Sequence, residues 1–582
     1  MNSMWSPARR LTWIIPAIFF MLQNVNAQRP DFLWAKGLLG AEQVTPTAVA
    51  TDALGNVVIG GVYSGTVDFN PGSGVTNMTA NGYDDIFFLK LNGSGEFLWA
   101  FSLGGESSEY LEGMALDPQG NIYVTGHYSG EVDFDPGQGV HKLAENGGAD
   151  IFIAKYNSSG AYQWAHSFGN EYSDAGTHIH IDKAGNVLVV GEFQDPTDFD
   201  PGAGVAILDP FGMDTFIAKY TPAGALVWAR MIGGTGNVNG YHVTSDARNN
   251  VYVTGRVRNK VDFDPGPGTH EITTTNNEAF LLKLNADGLF KYVVLPGGSV
   301  TSKNFNNHRP VGADKDGSVY LAYDFKSSAD FNPGTGTVTL TSNGFEDIFL
   351  QKLDSLGNFI WVKQVGGSST DLVNDLIVSE SGDLFVTGRF NGTVDFDPGP
   401  GVVNLNANGD WNTGIYIARY NKNGELVWAY DVKRNDDTWP YGDGNALCLD
   451  KDGNLLAIGE FSGTYNFNPG NTSVLLSSVT ENVLNGFVMK LKGTLSGMSI
   501  TESGSGVILF PNPFNDQLEI RSVESLKDAR LTIRNLSGQI IYIKSSMYGN
   551  NFVADLPVIP AGIYLFEVVN GSQRSTGKIV KN

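Results

Sequence analysis

The chain has 582 residues, a formal net charge of -23 and only 17% charged residues, with 72 glycines. So acidic a balance excludes a nucleic-acid-binding role, which depends on Lys and Arg neutralising phosphates. The single cysteine, Cys448, excludes an intrachain disulfide framework and, in the apolar run around Leu447 and Leu449, reads as a buried small hydrophobe.

At the N-terminus, Arg9 and Arg10 precede an apolar run over 11–22, and Val25-Asn26-Ala27 offers a small residue before a cleavage point. This pattern predicts a signal peptide over 1–27; the apolar run is too short to span a bilayer. No later segment reads as transmembrane.

Beyond it one phrase recurs. An Asp-Phe-Asx-Pro-Gly core begins at Asp68, Asp133, Asp198, Asp262, Asp330 and Asp395, and with Asn in front at Asn466, at spacings of 65, 65, 64, 68, 65 and 71 residues. Asx accepts a backbone hydrogen bond, Pro presets φ and Gly supplies the conformation that follows, so the phrase marks a turn in each copy of a tandem unit.

The second unit serves as a template. Strands are predicted over 113–116, 121–126, 150–156 and 162–165, joined by tight turns at Asp117-Pro118-Gln119-Gly120 and Ser158-Ser159-Gly160 and by a long connection holding the repeated phrase. Four antiparallel strands per unit is the count of a propeller blade. A basic residue recurs in the third strand (Lys90, Lys155, Lys219, Lys283, Lys352, Arg419, Lys490), and an aromatic in the fourth (Trp99, Trp164, Trp228, Tyr292, Trp361, Trp428). The seventh unit lacks its fourth strand, while Phe32-Leu33-Trp34-Ala35 is a fourth strand with no third before it. Because a circular array must pair its ends, residues 32–36 are expected to pair with 487–491.

The expected fold is all-β: a seven-bladed β-propeller of four-stranded blades over 28–492, closed by the N-terminal strand. Third strands apolar on both faces suit blades stacked face to face. The long connections gather on one elaborated face, where binding is expected. A Gly/Ser/Thr-rich linker follows over 493–506, and five further apolar segments, 507–510, 517–520, 529–533, 539–542 and 562–568, predict the strands of a small separate C-terminal β domain over 507–582.

Two resemblances attach to these residues. The text Asp150-Ile151-Phe152-Ile153-Ala154-Lys155-Tyr156, followed by Gly160, Trp164 and Asp182-Lys183-Ala184-Gly185-Asn186-Val187, resembles the SBBP-type β-propeller repeat of secreted bacterial proteins. That family carries no shared catalytic residues. The tail, with Phe510-Pro511-Asn512-Pro513-Phe514, Asn535, Gly538-Gln539 and Gly562-Ile563-Tyr564, resembles a type A sorting domain of the type IX secretion system. The resemblance implies that this C-terminal domain is a β-sandwich, that the chain is handled by that machinery, and that it is a Gram-negative product released or attached to the outer cell surface.

For chemistry, the repeated phrase admits a Ca²⁺ loop, but its third position is Asp in four units and Asn in three, so turn capping is preferred and no cofactor is expected. His178 and His180 lie two apart on one strand and His242 takes the place of His178 in the next unit; three imidazoles near an axis admit Zn²⁺, and hydrogen-bonded core histidines are the alternative. The loop with Asp436, Asp437, Trp439 and Tyr441 departs most from the repeat and is the candidate ligand site, its rings suited to a sugar or peptide. No nucleophile, metalloprotease or phosphate-binding motif stands in a fitting context. The expected function is a monomeric, secreted or cell-surface, non-catalytic binding or structural module for an extracellular glycan or protein. The alternative is a polysaccharide-active enzyme with its site on the long-loop face.

Overall fold

The computed structural model describes residues 29–297, 310–493 apart from 408, 410, 411, 436–440, 470, 471 and 481, and, at the C-terminal end, 507–510, 517–535, 539–556, 559–560, 562–571 and 573–581. The signal-peptide segment, most of the linker and the candidate ligands Asp436, Asp437 and Trp439 lie outside the described residues.

Every regular element among the described residues is a strand. Up to residue 491 the strands form seven antiparallel sheets, six of four strands and one of six, besides small two-stranded hairpins. The second and third strands are the most deeply placed: Asp85–Leu91, Asp214–Tyr220, Leu455–Phe461 and Asn485–Leu491 are buried at every position. A strand dry on both faces needs a neighbouring sheet on each side.

The sheets follow one another in a cycle. Their innermost strands, Val44–Thr51, Glu109–Leu116, Ala175–Ile181, Asn237–Ser245, Val311–Ala313, Leu372–Val378 and Gly442–Leu449, each lie beside the next, and the last lies beside the first. The N-terminal strand Phe32–Leu38 completes the last sheet, with Phe32 opposite Leu491, Trp34 opposite Lys490 and Gly37 opposite Phe487. An edge that would otherwise stand open is thereby paired.

The repeated phrase forms the tip of a small hairpin in each unit. Asp133 Oδ1 accepts the N–H groups of Asp135 (3.1 Å) and His141 (2.8 Å), while Asp135 Oδ1 accepts that of Gly137 (2.8 Å). Asn466 makes the same pair of bonds, to Asn468 and Val474, so an uncharged oxygen serves equally well. The phrase has a second role that turn chemistry does not reveal. Its Phe side chains are buried, and Phe199 stacks on Phe168 of the preceding sheet (5.6 Å) while packing on Phe216 of its own (4.7 Å). Each such ring, worth about 2–3 kcal/mol of apolar burial, wedges a hairpin between two sheets.

The C-terminal part is a five-stranded antiparallel sheet of Val507–Phe510, Gln517–Asn535, Ile540–Asp555, Gly562–Asn570 and Gln573–Lys581. Segments expected as separate strands at 517–520 and 529–533 form one strand of 19 residues, whose register shifts between Arg521 and Leu526 and again near Ala529. Leu518, Ile520, Leu531, Ile533, Phe566 and Val568 share its core.

Candidate functional site

The innermost strands enclose a central cavity of about 1150 Å³, lined by all seven sheets. Six of those strands carry an extra residue at the same place, where pairing with the second strand shifts by one: Thr47, Glu112, Thr177, Tyr241, Asn374 and Asn445. A bulge turns that side chain off the alternating pattern. Here it points to the next sheet: Thr47 donates to the Leu111 carbonyl (2.8 Å), Thr177 to Gly240 (2.7 Å), Asn374 to Gly444 (3.0 Å) and Asn445 to Pro46 (2.9 Å).

Glu112 differs from the hydroxyl and amide donors of this ring in carrying an ionisable carboxyl. Its side chain is 37% exposed to the cavity, with Oε1 3.8 Å from His127 Nδ1. Its deep position, with a smaller contribution from the charge of Glu192, pushes its pKa up to about 7. Burial pushes His127 down to about 4, so at neutral pH that pair is an acid poised near its midpoint beside a neutral imidazole.

The predicted site histidines are tied into the walls. The rings of His178 and His242 stack with centroids 3.6 Å apart, and the Val243 N–H points at His178 Nδ1 at 3.5 Å. His180 Nε2 meets Ser245 Oγ at 3.0 Å, and burial lowers its pKa to about 4. Among the described residues no three His, Cys, Asp or Glu side chains converge as metal ligands. Tyr441 is held by its neighbours: its hydroxyl donates to Asp443 (3.0 Å) and accepts from Arg389, whose guanidinium lies over its ring. Burial raises the pKa of that hydroxyl further.

At the cavity end formed by the tight turns, the carboxylates are already engaged. Asp52 Oδ1 accepts the N–H groups of Leu54 and Asn56, and its Oδ2 meets Lys90 Nζ at 2.9 Å. Lys219–Asp182 (2.6 Å) and Lys490–Asp450 (2.9 Å) repeat the pair. Where the second strand offers a tyrosine, that hydroxyl takes the carboxylate and the lysine moves onto the ring, as with Tyr123 bonded to Asp117 under Lys155 and Tyr252 bonded to Asp246 under Lys283. In the sixth unit Ser379 replaces the turn Asp, and Arg419 pairs instead with Asp383 (2.7 Å). The bulge acid Glu112 had no signal in the repeat text, since nothing in a linear pattern marks where an extra residue enters a strand.

Residues 508–582 match the family model described as a secretion system C-terminal sorting domain. Over 535 residues the chain is 22% identical to an uncharacterized WD repeat-containing protein of Acanthamoeba polyphaga mimivirus, a match covering 79% of this chain and 38% of that protein. The chain therefore spans well under half the length of that relative. Two solved structures are similar at low TM-scores. A protein of unknown function from Dyadobacter fermentans is 11% identical with a TM-score of 0.33, covering 62% of this chain and 94% of that one. A lignostilbene dioxygenase from Pseudomonas brassicacearum is 12% identical with a TM-score of 0.32, covering 81% and 94%. Among the described residues no helix is long and apolar enough to cross a membrane. Residues 508–582 are a C-terminal sorting domain of the type IX secretion system, and the protein is one that this system delivers to the extracellular space or the cell surface.

Proposed function

We propose that residues 28–492 are a seven-bladed β-propeller of the SBBP-repeat kind, acting outside the cell as a non-catalytic binding module for a glycan or protein ligand. The carrying observation is how the repeat acids are used. Turn carboxylates such as Asp52 and Asp182 are spent on backbone N–H groups and buried lysines, and those of the repeated phrase on their own hairpins. Repeat-equivalent acids are thus scaffold, and recognition falls to the loops of the elaborated face. A glycan array probed with the mature protein, followed by a product assay on each hit, tests this reading. Retention without turnover supports it, and turnover overturns it.

One observation favours the enzyme alternative. Glu112 departs from the repeat, faces the cavity and has a pKa raised to about 7, the range of a general acid at neutral pH. Turnover that survives Glu112→Gln would remove that residue from the alternative.

A further inference from the structure

In four units the segment that leads into the buried part of the third strand is pinned by the carboxylate at the head of that buried part. Asp85 accepts the Asn81 N–H (3.1 Å), Asp150 that of Asn146 (3.2 Å), Asp214 that of Phe211 (3.0 Å) and Asp347 that of Asn343 (3.0 Å). In the first and fifth sheets the pinned loop also bonds to the linker entering the next unit, Tyr83 N–H to Ser107 (2.9 Å) and Phe345 N–H to Ser369 (3.1 Å). Both aromatics stand two residues before the anchoring Asp, and they are 78% and 53% exposed. The second sheet has Gly148 at that position. A Cβ there would come within 2.6 Å of the Tyr172 carbonyl carbon, so the loop lies directly on the linker, and the linker's Tyr172 supplies an exposed ring (55%) instead. In the third sheet Gly212 takes the position and Phe211, one residue earlier, is 74% exposed.

Four units thus present one solvent-facing ring beside the same anchor, by three different local routes. Lys326 lies over one face of Phe345 at 5.3 Å, and Tyr83, Tyr172 and Phe211 make no ring contact among the described residues. A single exposed ring is ordinary on a protein surface; it is the recurrence of four beside one anchor that sets these apart. Each ring also has a carboxylate within two residues: Asp84, Glu171, Asp209 and Glu346.

We propose that Tyr83, Tyr172, Phe211 and Phe345 are stacking platforms for an extended neutral polysaccharide, an assignment that rests on the binding-module reading above. A flat ring with both edges wet suits the apolar face of a pyranose, and an adjacent carboxylate accepts its hydroxyl protons. The same carboxylates, on a chain of net charge -23, repel polyanions. One weak contact per unit around a ring favours a ligand that repeats, since a polymer engages several platforms at once and gains by avidity.

The test is affinity electrophoresis of the full mature chain in gels containing barley β-glucan, xylan or soluble starch, with polygalacturonate and a lysine-rich peptide as charged controls. Retardation by at least one neutral polymer is expected. Tyr83→Ala, Tyr172→Ala, Phe211→Ala and Phe345→Ala should each weaken it by about 2-fold to 5-fold, and the quadruple variant by more than about 10-fold, with the melting temperature unchanged because the rings are exposed. A quadruple variant retarded like the parent overturns the platforms and leaves the binding-module reading standing. Retardation only by a charged control overturns the neutral-polysaccharide assignment, and a parent chain that none of the probes retards overturns the platforms while leaving a protein-binding module standing.

Discussion

Trp34 and Lys490 lie directly opposite each other across the strand pair that completes the last sheet, and both donate to one acceptor, the carbonyl oxygen of Gly93 in the first sheet (3.2 and 3.1 Å). The same two-donor arrangement joins other neighbours: Lys155 and Trp164 share the Pro222 carbonyl, and Lys219 and Trp228 that of Ala286. The N-terminal tryptophan therefore does for the seam what its counterparts do between successive units. Trp34→Ala should cost about 2–3 kcal/mol, less than a fully buried tryptophan because the ring is only partly buried, and Trp34→Phe should recover the packing part of that loss. Denaturant melts of the two variants check it. Deleting residues 29–38 should expose the Asn485–Leu491 edge and promote association, measurable by light scattering.

The buried Lys219–Asp182 pair offers a second test. Both side chains are almost fully enclosed, and the lysine holds the Asp182 pKa below the usual carboxylate range against the opposing effect of burial. Lys219→Met leaves an uncompensated buried carboxylate and should destabilise the protein by about 3–5 kcal/mol. Adding Leu188→Tyr should restore part of this, because the second, fourth and fifth units place a tyrosine hydroxyl on the equivalent Asp. A melting series on the parent, single and double variants reads the outcome.

Stability should also fall with rising pH because of Glu109. Its side chain is fully buried, Oε2 accepts the Gly105 N–H (3.1 Å), and burial pushes its pKa up to about 8, helped by the charges of Asp85 and Asp84. A carboxyl whose folded pKa lies above its unfolded one stabilises the fold fully below the unfolded value near 4.5, and that contribution is lost as pH climbs to about 8. Each tenfold difference in proton affinity is worth about 1.4 kcal/mol. Asp174 and Asp371, each raised to about 7 by burial, act in the same direction. His127 and His180, lowered to about 4, oppose it only below about pH 6.5. Glu109→Gln should raise the melting temperature at pH 8 and flatten its decline between pH 5 and 8.

The repeated turn yields a fourth prediction. Asp133→Ala removes the acceptor for two backbone N–H groups and should cost about 1–2 kcal/mol, whereas Asp133→Asn should be nearly neutral, as the natural Asn466 suggests. If the phrase works as a cap, chelation with EDTA and addition of Ca²⁺ should leave the melting temperature of the parent unchanged. A rise with Ca²⁺ that Asp133→Asn abolishes would favour a metal loop instead.

Taken alone, the sequence determined the strand count of each unit, the turn at each Asp-Phe-Asx-Pro-Gly and the partner of the stranded Phe32–Leu38 segment. These follow from period, local turn chemistry and the need to pair an edge, all of which act along the chain. Only the tertiary structure decided what faces the cavity and the rim. Glu112 faces the cavity because a bulge takes it off strict alternation, and Tyr172 stands in for Gly148 through a loop lying on a linker more than twenty residues away. Tyr441, a candidate ligand contact for its place in a departing loop, bonds to the nearby Asp443 and to Arg389, a partner 52 residues earlier that no spacing rule connects to it. Contacts between neighbouring units depend on how the sheets stack, and that information lies in three-dimensional proximity.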